Sequence, residues 1–166
     1  MSRGTKSLWV PGVPIPQPRH RATAIGGHAR MYLPKKHPVM AWKQSIALLW
    51  RNSHGANPKW GDEPLYVCLR FMLPRPASKT RKRTPNVTSP HAVKPDLDNL
   101  IKAASDALNG LAWKDDSRIA EMHTSKLIVG DVGTPGLYVH VTPLDFDARD
   151  AAHYQAQSEA MMTSED

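Results

Sequence analysis

Four aspartates and the lysines around them are the residues of this chain best suited to do chemistry together. Asp96 and Asp98 lie in Lys94-Pro95-Asp96-Leu97-Asp98-Asn99-Leu100-Ile101-Lys102, and Asp115 and Asp116 follow in Trp113-Lys114-Asp115-Asp116. Carboxylate oxygens suit Mg²⁺, a hard cation that keeps several waters and is held by few carboxylates. A lysine beside them offers positive charge to an anionic transition state. The rest of the chain names the anion. Residues 1–94 carry 17 Lys and Arg against 2 acids, Asp62 and Glu63, a net of +15; residues 95–166 carry 5 against 13, a net of −8, for an overall +7. Dense positive charge attracts polyanions and speeds their encounter. Carboxylates set against a polyanion repel it unless a cation lies between them. The acidic cluster is therefore either a surface turned away from the ligand or a divalent-metal centre for cutting nucleic acid.

The elements that must position these groups can be read from pattern. Pro95 fixes its own φ and pushes Lys94 toward an extended conformation, in which positions i and i+2 share a face. From Asp98 the spacing of Leu100, Ile101, Ala104 and Leu108, with Asn109-Gly110 as a stop, predicts a helix over about 98–109. Asp98 is then the N-cap, which places its carboxylate and that of Asp96 at the positive end of the helix. Lys102, one turn on, projects from the same side. Such a helix is about 18 Å long, so the two acidic clusters converge only if the chain turns at Asn109-Gly110 and a strand comes back toward the helix start. The β-branched content of 119–129 and the turn residues Gly130-Asp131-Val132-Gly133 predict that strand. Each piece also has a plainer explanation. Asp96 and Asp98 can be a cap and a solvated neighbour, Asp115-Asp116 a turn, and Lys102 a surface lysine paired with Asp98 or Asp106.

Other segments fill in the domain. Val39, Trp42, Ile46, Leu49 and Trp50 predict an amphipathic helix over 38–52, and strands are predicted at Ser7–Gly12, Leu65–Leu73 and Gly136–Thr142. Trp113, ending an apolar run, reads first as a core aromatic. Residues 70–94 hold Arg70, Arg75, Lys79, Arg81, Lys82, Arg83 and Lys94 with no acid, and 74–90 is rich in Pro, Ser and Thr. About 74–94 is either a mobile basic loop that orders on phosphates beside the acidic pair or a solvated linker. Cys68, the one cysteine, excludes an intramolecular disulfide framework and reads as a packed strand thiol. The eight His lack ligand spacing, which argues against zinc. With no signal peptide and no long apolar span, a cytoplasmic protein without membrane contact is expected. Residues 144–166 read as a polar tail, a frayed helix or disordered.

The stretch K-P-D-L-D-N-L-I-K-A-A-S-D-A-L-N-G-L-A-W-K-D-D-S-R-I-A-E-M-H-T-S-K, residues 94–126, closely resembles the signature of RusA-type Holliday-junction resolvases, including phage and prophage versions. The strand at Ser7–Gly12, the Pro14-x-Pro16-x-Pro18-Arg19 run and Tyr32 ahead of a helix are similar to the family's beginning, so the resemblance covers roughly 7–143. It implies Asp96, Asp98 and Asp116 as Mg²⁺-binding catalytic carboxylates, with Mn²⁺ as a substitute, Lys102 as the essential lysine, and Asp115 as an adjacent candidate ligand. No small-molecule cofactor is implied. Arg19, Arg21, Arg75, Lys79, Arg81, Lys82, Arg83 and Lys94 are the expected DNA contacts. Where some members place aromatics before the acidic pair, this chain has His91-Ala92-Val93-Lys94, leaving Trp113 or Tyr32 as candidate wedges.

The expected protein is a single α+β domain over 1–143, with a mixed sheet flanked by two main helices. It acts as a Mg²⁺-dependent endonuclease that resolves four-way junctions by paired cleavage in recombination and repair, and works as a homodimer because two symmetric nicks ask for two copies of one site. The alternatives are a nuclease with broader taste for branched DNA and a junction- or duplex-binding protein that does not cut. A nucleotide-sugar transferase using Asp96-Leu97-Asp98 is a remoter one, disfavoured by the absence of acids over 1–60.

Overall fold

Alternation along one strand organises the sheet. In Leu65–Leu73 the side chains of Leu65, Val67, Leu69, Phe71 and Leu73 are buried on one face, while Tyr66, Arg70 and Met72 point to the other, as a period of two requires. The computed structural model describes residues 4–18, 37–58, 60–80 and 85–144, and the backbone of 21–25 and 28–32. Numbered in chain order, the strands are β1 (Lys6–Pro11), β2 (Arg21–Ile25), β3 (His28–Tyr32), β4 (Leu65–Leu73), β5 (Ser89–Pro90), β6 (Ile119–Ile128) and β7 (Gly136–Pro143). A five-stranded mixed sheet has the order β1-β7-β4-β6-β5, with β4 and β6 parallel and the other pairs antiparallel. The strands β2 and β3 form a separate antiparallel hairpin. The Gly26-Gly27 pair between them in the sequence is a hairpin signal.

Two helices lie against the inner face. Helix α1 (Val39–His54) buries Val39, Trp42, Ile46 and Trp50 at helical spacing and ends at Gly55, whose φ of 90° favours glycine. Helix α2 (Leu97–Leu108) buries Leu100, Ala103, Ala104, Ala107 and Leu108. Both helices share one core with Val67, Leu69, Phe71, Val139, Val141 and the fully buried Trp113. Each large apolar side chain so placed contributes about 1.5–3 kcal/mol. Across the helix pair, the Lys43 ammonium meets Asp106 at 2.7 Å. The sequence expectation of a single α+β domain with a mixed sheet and two main helices is what the structure has. Its predicted helices and strands recur with ends moved by a few residues.

The connection from β4 through α2 to β6 matters most for function. Parallel neighbours need such a crossover, and its helix runs antiparallel to both strands. Lys126, near the end of β6, marks the direction by donating to the carbonyls of Val93 and Pro95, just before α2 begins. Among the described residues, no helix is long and apolar enough to cross a membrane.

The basic segment between β4 and α2 is more tied at its flanks than the expectation of a mobile loop or linker over about 74–94. Its residues 81–84 lie outside the described residues, as does the tail beyond Leu144. The Arg75 guanidinium donates to the carbonyls of Val129, Lys79 and Val87, and a short 3-10 turn spans Ala77–Lys79. Asp131 accepts from the Asn86 backbone amide at 2.8 Å and from its side-chain amide at 2.9 Å. These bonds, the backbone one foremost, hold the Asp131 carboxyl below its ordinary pKa. A group whose folded pKa is depressed contributes stability above its unfolded pKa, and that stability is lost as pH falls through the folded value. Asp131→Ala should therefore melt at a lower temperature than wild type at neutral pH, with the gap closing as pH drops below roughly 4. Thermal melts of both proteins across pH check it; a gap that is constant with pH contradicts the clip.

Candidate active site

Asp96 is the N-cap of α2, with φ −68° and ψ 139°, and its side chain makes no capping bond. The helix starts at Leu97, one residue earlier than the sequence suggested. Asp98 is thus in the first turn rather than at the cap. Both carboxylates still sit at the positive pole of the helix, where the backbone N–H groups favour negative charge. The segment leading into them is held from two sides. His91 Nε2 bonds the Lys94 carbonyl at 3.0 Å, the His91 amide donates to the Lys126 carbonyl, and Lys126 grips Val93 and Pro95 as above. Sequence reasoning missed Lys126 as part of this site. Its signal was indirect: a lysine well along a strand expected to return to the helix start.

The second acidic pair sits in a different place. Trp113 is fully buried, as a core aromatic, and its indole N–H donates to Asp116 Oδ1 at 2.7 Å. The two adjacent aspartates therefore differ. Asp115 caps the 3-10 turn Asp116–Arg118, accepting from the Ser117 amide at 2.9 Å. Hydrogen bonds from the Ser117 hydroxyl and amide hold its carboxyl below the ordinary pKa. Asp116 is oriented by the indole through one oxygen and is exposed. Lys114 and Arg118 lie on either side of the pair and both meet Asp62, at 3.3 and 3.0 Å.

The structure does not bring all these carboxylates together. Gly110 donates to the Trp113 carbonyl and Ala112 to that of Leu108, so the turn holding Trp113 packs on the C-terminal end of α2. Asp116 follows it and precedes β6, whereas Asp96 and Asp98 begin α2. A helix of this length separates its ends by about 18 Å. The strand does come back toward the helix start, as expected, but what it delivers there is Lys126. Among the described residues, no three His, Cys, Asp or Glu side chains form a group able to hold a metal. The donor chemistry still fits Mg²⁺ at the helix start, because that ion takes one or two carboxylates and completes its shell from water and substrate phosphate. It does not fit a cage built from one chain.

The remaining candidates fall as follows. Lys102 projects from the exposed side of α2 and pairs with Asp106 at 3.5 Å, one turn further on, while Asp106 also holds Lys43. Arg75 is committed to backbone carbonyls. With Ser78, Lys79, Thr80, Asn86 and Ser89 it lines a cavity of about 430 Å³. Lys94 is exposed and lines a second cavity, of about 470 Å³, beside Asp96. Arg19, Arg81, Lys82 and Arg83, and the side chains of Arg21 and Tyr32, lie outside the described residues.

Replacing Trp113 by Phe keeps an aromatic in the core and removes the donor to Asp116. A stability loss of about 1–2 kcal/mol is expected from denaturant melts, together with a larger fall in DNA cleavage than Asp115→Asn causes. Cleavage that survives Trp113→Phe but is abolished by Asp115→Asn contradicts the division of labour between the two aspartates.

The family model described as endodeoxyribonuclease RusA matches residues 11–142. A Bacillus subtilis (strain 168) protein, described as uncharacterized protein YqaN, is 30% identical over 120 residues, covering 70% of this chain and 83% of that protein. The match runs from the last residue of β1 into β7 and includes both acidic pairs, and the chain belongs to the RusA endodeoxyribonuclease family, whose type is the Holliday-junction resolvase.

Proposed function

We propose that this protein cuts four-way DNA junctions with two symmetric, Mg²⁺-dependent nicks, and that it does so as a homodimer whose sites are each shared between two copies. The observation that carries the shared site is the placement of Asp96 and Asp98 at one end of α2 and Asp116 at the other. A two-fold axis makes the same patch meet its counterpart reciprocally, so residue i of one copy faces residue j of the other. Opposite ends of α2 from two copies can then complete two equivalent centres, one for each nick.

Bound Mg²⁺ would supply a water of lowered pKa and neutralise charge on the scissile phosphate. The chain's own residues do the rest. Asp96 and Asp98 offer oxygens at the helix pole, and His91 and Lys126 fix the Lys94-Pro95 approach to them. The indole of Trp113 sets the direction in which Asp116 presents its remaining oxygen. Lys102, exposed and paired with Asp106, can turn toward the negative charge that develops at the phosphorus or the leaving oxygen. The excess of bases in the first 94 residues supports DNA as the ligand. Lys and Arg on phosphates position a duplex arm without reading its sequence, so binding should weaken steeply with salt.

The test compares a synthetic mobile four-way junction, a Y-fork and linear duplex, with Mg²⁺ or with chelator, beside Asp98→Asn. Paired, ligatable nicks in the junction alone, absent in chelator and in the variant, are expected. Equal cutting of the fork points to a broader branched-DNA nuclease, and binding without nicks in every lane sinks the enzymatic reading. Lys102→Ala should bind the junction about as well as wild type and cut it about 10²-fold more slowly; a collapse of affinity instead places that lysine on DNA binding.

A further inference from the structure

A small apolar cavity opens beside the acidic start of α2 and has no part in anything described so far. Its volume is about 360 Å³, at the small end of ligand cavities, which run from roughly 300 to 1,000 Å³. Prolines from three segments, the 14–16 run, the 74–76 run and position 95, form its wall together with Val13, Leu73 and Val93. Among its lining residues, His91 and Lys94 alone carry polar side chains, and the His91 Nε2 is already bonded to the Lys94 carbonyl. Proline has no backbone N–H and its ring holds φ, so the wall is rigid. It offers little to a water, which needs about two to four polar partners. Val13 and Val93 are 47% and 56% exposed, so the apolar rim lies open to an incoming ligand.

The neighbouring cavity narrows what that ligand is. Pro16, Lys94 and Pro95 also line the cavity of about 470 Å³ at Asp96, so the two spaces adjoin with an ammonium at their boundary. A ligand that spans them needs an apolar part with an anion attached. A nucleotide has both, and DNA is the family's substrate. A space this small takes one base and no stretch of duplex. We propose that the cavity receives a single nucleobase drawn out of the stack next to the crossover of the branched DNA, its ring against proline and valine and its phosphate at Lys94. The inference rests on the reading of the Asp96 end as the place of cutting. Enzymes that extrude a base hold it among apolar side chains, and extrusion costs least where pairing and stacking are already interrupted, as at a branch point. A wall poor in hydrogen-bonding groups discriminates bases weakly, so the pocket holds the branch open more than it reads sequence.

The experiment uses the full-length protein and a synthetic four-way junction carrying 2-aminopurine at single positions around the crossover, in chelator so that nothing is cut. Binding of wild type should raise the fluorescence at one position, because the probe leaves its stacked neighbours for walls with no π system to quench it. Val13→Trp and Val93→Trp place a large ring at two exposed positions of the rim and should melt like wild type. Both should lose the fluorescence rise and weaken junction binding by about fivefold or more, the worth of stacking one base, with linear-duplex binding unchanged. An abasic nucleotide at the responding position should cost wild type the same factor and the filled variants nothing further. A rise that persists in both filled variants, or a wild-type affinity indifferent to every abasic position, overturns the pocket, and cutting of the junction in Mg²⁺ then leaves the Asp96 reading standing. Filled variants that change oligomeric state while keeping the rise assign the cavity to a second copy and overturn it too. A normal rise in a protein that never cuts keeps the pocket and removes the cutting.

Discussion

The direction of one helix governs the functional architecture. Parallel pairing of β4 with β6 forces a crossover, and α2 within it must run against both strands. That single constraint puts Asp96 and Asp98 where the strands finish and Asp116 where β6 is about to start. Ligand sites in sheets with such crossovers collect outside the carboxyl ends of the strands, which is where Asp96, Asp98, Lys94 and Lys126 lie. The other end carries a different balance, with Lys114 and Arg118 beside the acidic pair. The reciprocal arrangement of two copies proposed above would bring the two acidic ends together.

Local bonds give each end its rigidity. At the start of α2, three hydrogen bonds from His91 and Lys126 to the carbonyls of Val93, Lys94 and Pro95 fix the approach to Asp96. At the far end, a tryptophan sealed in the core holds Asp116 through its indole, so the packing of the core sets the orientation of a surface carboxylate. The neighbouring Asp115 is spent on closing a turn. Identical side chains on adjacent residues thus do different work, and the difference comes from a cap and a core contact rather than from residue type.

Much of this was legible in the sequence because it rests on local rules. The strict alternation of Leu65–Leu73, the helical spacing after Asp98 and the Asn109-Gly110 stop each follow from the geometry of their own segment. The Asp-Leu-Asp signature also led to the family. What stayed hidden depends on distance through the fold. Whether Asp116 meets Asp98 turns on which end of β6 carries the acids, and spacing along the chain does not say. Lys126 matters because a ten-residue strand, about 33 Å long, carries it back to the helix start. The expectation of Asp98 as the cap missed by two residues, since the helix begins at Leu97 with Asp96 as its cap.

The sharing of each site between two copies is the central claim, and subunit mixing tests it most directly. Asp98→Asn and Asp116→Asn chains, each inactive alone, are unfolded and refolded together and assayed on the four-way junction. In a mixed dimer one site would hold both substitutions and the other none, so nicking on one strand should return. A mixture as inactive as either parent, with mixed dimers demonstrably present, would show that each chain builds its site alone and contradict the shared centre.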